Sequence, residues 1–127
     1  LNFGHTLGHA IESLSLSTGT PLAHGEAVAL GIWCALYLSV KQCGLHESVL
    51  IDYEPKLEKL LAETTFRLDN ADVDAVMSYL CHDKKNKGGE TAFVLLKAVG
   101  KPIVNQRVPE PLVRESLVEL VKLLDNL

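Results

Sequence analysis

The sequence predicts a mainly α fold, a helical bundle with room for one small β-hairpin. Three observations carry that expectation. Apolar residues recur at helical spacing through most of the chain. The stretch from Val28 to Val40 is apolar on nearly every side, as befits the central helix of a bundle. Only Phe93-Val94-Leu95-Leu96 and Ile103-Val104, around Gly100, read as short strands or extended packing segments. At 127 residues, 47% apolar and 22% charged, the chain suits one domain with a core of its own.

Each element has a local reason. Gly4 to Leu16 reads as a first helix with Leu7, Ile11 and Leu14 on one face, and Ser17-Thr18-Gly19-Thr20-Pro21 is turn chemistry that stops it. A second helix runs from about Glu26 to Cys43, with Gly44 placed to cap it and Trp33 and Tyr37 adding bulk. His46 to Thr64 is amphipathic through Val49, Leu50, Leu57, Leu60 and Leu61. Pro55 interrupts it, so a kink or two short helices are expected there. Asp69 or Asn70 caps the next helix, whose inner face is Val73, Val76, Met77 and Leu80. His82 to Gly89 is polar and reads as a loop or helix end. After Pro109 and Pro111 comes a terminal amphipathic helix through Val113, Leu117, Leu120, Val121 and Leu124.

Charge narrows the function classes. Twelve basic residues against 16 acidic ones leave a net charge of -4, without the basic excess of a nucleic-acid or anionic-membrane surface. An anionic ligand would therefore need a local cluster. No apolar run is long enough to span a bilayer. Cys34, Cys43 and Cys81 are an odd, sparse set, expected as reduced thiols of a cytoplasmic protein. Cys34 and Cys43 would lie about 13 Å apart along one helix, too far to bridge. The chain opens at Leu1 inside what reads as a functional motif, so it is expected to be a piece of a larger protein.

Chemistry concentrates near the start. His5 and His9 are four apart and project from one helix face. Gly4 and Gly8 share that spacing although glycine costs roughly 1 kcal/mol against alanine inside a helix, so a close approach or a tight helix crossing is expected there. His24, at the start of the second helix, could meet His5 if the two helices are antiparallel, and neutral imidazoles suit zinc or a related divalent ion. Glu26 is either a third ligand or an acceptor behind the ligands. Thr6 stands where a zinc protease of the His-Glu type needs its glutamate, which removes that option. Asp83-Lys84-Lys85-Asn86-Lys87-Gly88-Gly89 gathers three lysines, either to hold a phosphate or carboxylate or as a solvated loop. His46 and His82 have no partner by spacing and are read as surface residues.

These residues also carry a resemblance. Leu1-Asn2-Phe3-Gly4-His5-Thr6-Leu7-Gly8-His9-Ala10-Ile11-Glu12, then His24-Gly25-Glu26-Ala27-Val28-Ala29-Leu30-Gly31, then Asp83-Lys84-Lys85 with Phe93-Val94-Leu95-Leu96 resemble, in order, three signatures of the 3-dehydroquinate synthase family. The resemblance covers most of the first hundred residues. It implies the C-terminal helical domain of a two-domain enzyme, residues 1–127, with an N-terminal nucleotide-binding α/β domain absent from this chain. The implied reaction converts a seven-carbon sugar acid phosphate into 3-dehydroquinate and phosphate. It proceeds through transient NAD-dependent oxidation, phosphate elimination, reduction and aldol closure.

The resemblance further implies His5 and His24 as ligands of a divalent metal, zinc or cobalt, with a third ligand from the other domain. It makes His9 a proton acceptor, Asn2 a substrate hydrogen-bonding residue, and Lys84 or Lys85 the holder of an anionic group. A homodimer is an open arrangement. The competing readings are a sister sugar-phosphate cyclase, a metal-dependent alcohol dehydrogenase, and a non-catalytic helical module that binds a metal or a partner protein.

Overall fold

A computed structural model describes residues 3–81 and 90–127, in which the chain runs α1 (His5–Ser17), α2 (His24–Cys43), α3 (Glu47–Leu60), α4 (Asn70–Cys81), β1 (Glu90–Ala98), β2 (Lys101–Pro109) and α5 (Glu110–Asp125). The expected class holds: helices around α2, with one antiparallel hairpin. Because α2 is apolar all round, it can be covered on every side, and α1, α3, β1 and α5 all pack on it. Leu30, Trp33, Cys34, Ala35 and Leu38 are buried, and one continuous apolar core joins them to residues of the other six elements.

The ends of the helices follow from short-range chemistry. Gly44 closes α2 in the left-handed region at φ +78. Asp69, not Asn70, caps α4: its Oδ1 accepts from the Asp72 N–H at 2.8 Å, and Asp72 Oδ2 accepts from the Asp69 N–H at 3.0 Å. The acceptor at the start of α3 is the ring of His46, exposed as expected, which takes the Ser48 N–H at 3.1 Å.

Two expectations need correction. Pro55 does not divide the segment after His46, because Glu47–Leu60 is one α-helix with Pro55 inside it. The helical bond that proline forfeits would go to the carbonyl of Ile51, a residue 55% exposed, where water can take over. The hairpin is also longer than Phe93–Leu96 and Ile103–Val104, at nine residues in each strand. Thr91, Phe93 and Leu95 alternate inward along β1, and the Leu96 N–H donates to the buried Ser39 Oγ at 2.9 Å, tying the strand to α2. A bulge between Phe93 and Leu95, with Asn105 opposite at φ +52, bends the pairing that a simple alternation would give.

Candidate active site

The site is assembled by a close antiparallel crossing of α1 and α2. Gly8 lies against Ala27 and Val28, and Gly31 lies against the backbone of Gly4 and Gly8. A Cβ on Gly31 would fall within 2.6 Å of the Gly8 nitrogen and overlap the Gly4 carbonyl oxygen. The paired glycines are thus a tight helix crossing, with Gly31 as their partner. At the other end of the contact, the return of the chain is pinned by Ser15. Its Oγ donates to the Glu12 carbonyl at 2.7 Å and accepts from the Leu22 N–H at 3.1 Å.

That crossing gathers the histidines on one surface. His5 and His9 meet edge to face with ring centres 4.0 Å apart, and the ring of His9 lies 6.3 Å from that of His24. His9 is therefore close to both of the others. His24 is itself the first residue of α2, two positions earlier than the expected helix start. Its Nδ1 lies within hydrogen-bond distance of Glu12 Oε1, at 2.9 Å. Partial burial holds the pKa of His5 below its ordinary value, and the neighbouring His9 and His24 push it the same way against a weaker pull from Glu12.

Glu26 is not a ligand in this arrangement. Its Oε1 accepts from the Ala23 N–H at 2.8 Å, so its carboxylate caps the start of α2. Sequence reasoning passed over Glu12 and Ser15. For Glu12 the signal was present, since positions 5, 9 and 12 lie on one helical face. Asn2, Lys84, Lys85 and His82 lie outside the described residues.

The donor chemistry suits a borderline divalent metal, for which imidazole nitrogens are apt. Among the described residues, no three His, Cys, Asp or Glu side chains form a complete metal centre. A divalent cation at these histidines would need a ligand beyond the ones described. A small open groove of about 140 Å³ runs beside His9, between Thr6, Ala10 and Ser13 of α1 and Tyr79 and Leu80 of α4. A larger cavity of about 430 Å³, at the start of α4 and the end of α5, contains no histidine. Among the described residues, no helix is long and apolar enough to cross a membrane, and Cys34, Cys43 and Cys81 are free thiols.

Comparison with known proteins agrees with this architecture. Residues 1–86 match the family model described as 3-dehydroquinate synthase C-terminal. The 3-dehydroquinate synthase of Parabacteroides distasonis is 44% identical over 117 residues, covering 92% of this chain and 33% of that protein. That of Clostridium tetani is 40% identical over 121 residues, covering 95% of this chain and 31% of its own length. The chain thus spans about a third of the curated relatives it matches. Among solved structures, 2-deoxy-scyllo-inosose synthase, crystallised with carbaglucose-6-phosphate, NAD+ and Co2+, superposes with a TM-score of 0.77 at 28% identity. That match covers 93% of this chain and 34% of the other. A 2-epi-5-epi-valiolone synthase from Streptomyces hygroscopicus shares the fold, with a TM-score of 0.68 at 22% identity over 95% of this chain and 32% of its own.

Proposed function

The chain belongs to the 3-dehydroquinate synthase C-terminal family, and we propose that the protein carrying it is a 3-dehydroquinate synthase in which residues 1–127 form the metal- and substrate-binding helical domain. A nucleotide-binding α/β domain elsewhere in that protein completes the site. The overall reaction is conversion of the seven-carbon sugar acid phosphate DAHP to 3-dehydroquinate with release of phosphate, a lyase step of the shikimate pathway. The observation that supports it best is the gathering of His5, His9 and His24 on one surface.

In this reading His5 and His24 each offer an imidazole nitrogen to a divalent cation, zinc or cobalt. His9 lies beside them and is exposed, and it accepts a proton from substrate, a task suited to an imidazole near neutral pH. Asn2 hydrogen-bonds the substrate, and Lys84 or Lys85 holds one of its anionic groups. NAD is held mostly by the other domain, and no residue of this chain is assigned to it. What the cofactor and the metal supply when bound is reversible hydride exchange and polarisation of the substrate oxygens. The free thiols fit a reducing compartment, the cytoplasm.

The test is made on the whole protein and on the 127-residue chain side by side. Phosphate release from DAHP is expected from the whole protein, to be lost at least 100-fold in His5→Ala and His24→Ala, and absent from the short chain. Full activity in both variants, or turnover by the short chain, overturns the assignment. A sister cyclase acting on another sugar phosphate is the second reading, favoured by the likeness to 2-deoxy-scyllo-inosose synthase. It stands if the whole protein releases phosphate from a different sugar phosphate and not from DAHP.

A further inference from the structure

We propose that Glu12 is a positioning residue for this site: its carboxylate holds the ring of His24 in the one orientation and tautomer that leaves Nε2 as the atom offered to a divalent cation. The proposal rests on the reading of His24 as a ligand. An ionised carboxylate has no proton to give, so the 2.9 Å contact requires that Nδ1 of His24 carry the hydrogen. In the neutral ring the lone pair then lies on Nε2, the nitrogen turned away from Glu12. A metal-binding imidazole commonly donates its other N–H to a carboxylate in this way, which fixes the ring and raises its basicity.

The surroundings explain why His24 needs such a partner. Its side chain is 61% exposed, at the first residue of α2, with little packing to stop the ring from turning. Glu12 is better held. Its side chain is 26% exposed, and it lies mid-helix on the same face as His5 and His9. The more buried group can therefore orient the more exposed one. If the contact were only a surface ion pair, it would add little to stability and nothing to metal binding.

The experiment uses the whole protein in four forms: wild type, Glu12→Gln, Glu12→Ala and His24→Ala. Zinc affinity is measured by competition with a chelator, the cobalt-loaded forms are compared by visible absorption, and thermal midpoints are taken without metal. Glu12→Ala is expected to weaken zinc binding about 10–100-fold and to alter the cobalt bands. Glu12→Gln, whose amide oxygen still accepts from Nδ1, is expected to recover part of the affinity. Metal-free midpoints are expected within about 2 °C of wild type, as for a solvent-facing pair of this kind. Wild-type affinity and unchanged cobalt bands in Glu12→Ala, with binding lost in His24→Ala, would sink the role of Glu12 while leaving the ligand reading intact. Wild-type affinity in His24→Ala would sink the ligand reading and the role of Glu12 with it.

Discussion

At the scale of single residues, the site depends on a serine that takes no part in its chemistry. Ser15 is fully buried, and its hydroxyl is the partner of the Leu22 N–H, seven residues along the chain. Alanine there leaves that N–H without its partner, beside a Leu22 that is itself buried, for which a cost of about 1–3 kcal/mol is expected. Urea unfolding of Ser15→Ala should show that loss, and a change under about 0.3 kcal/mol would mean that the return of α1 into α2 is held by something else. The sequence does not single this residue out. Ser13, Ser15 and Ser17 alternate with leucines, and only the meeting of α1 with Leu22 decides which hydroxyl turns inward. The histidines were legible for the opposite reason. Their spacing along one helix is local, whereas the approach of His24 depends on how the chain comes back.

At the scale of elements, two glycines four apart, Gly4 just before α1 and Gly8 within it, announced a close approach, and the structure supplies the partner, Gly31 of α2. Propensity treats all helical glycines alike, yet packing separates them sharply. A Cβ on Gly25 meets nothing within 4 Å, while one on Gly31 meets backbone of α1 that cannot swing aside. Gly25→Ala is therefore expected to be neutral or to stabilise by up to about 1 kcal/mol. Gly31→Ala is expected to destabilise by about 1–3 kcal/mol or more, because the helices must part. As they part, His24 is drawn from Glu12 and His9. Chemical denaturation of the two variants checks the contrast, and equal effects would contradict the crossing described here. The same distinction shows what the sequence could and could not reveal elsewhere. Helix faces, the Gly44 cap and the terminal helix follow from neighbours within a few positions. The continuity of α3 through Pro55 and the reach of the hairpin depend on solvent at Ile51 and on Ser39, 57 residues from Leu96.

At the scale of the whole molecule, one core joins every described element, so the titration of a group inside it reports on global folding. Cys34 is such a group: α2 carries it, no part of it reaches solvent, and burial raises its thiol from an ordinary 9.0 to about 12 against a smaller opposing effect of Ser116 on α5. Tyr53 moves the same way, from 10.0 to about 12, mainly through burial. The sign follows directly. Above pH 9 the unfolded chain releases the Cys34 proton while the folded chain retains it, so the folded state holds more protons and loses stability as pH rises. For one such group the loss approaches about 1.4 kcal/mol per pH unit, beginning at the unfolded thiol pKa and ending near the folded one. Well below pH 9 this group contributes no slope. Urea midpoints of the 127-residue chain are accordingly expected to be flat with respect to Cys34 from pH 7 to 8.5 and to fall from pH 9 upward, less steeply in Cys34→Ala. Alkylation at pH 8 gives an independent reading: Cys81, which is exposed, should react at once, and Cys34 only at the rate of global unfolding. Prompt labelling of Cys34 in native conditions would show that α2 and α5 separate without the rest of the fold, and a single cooperative core would no longer describe the molecule.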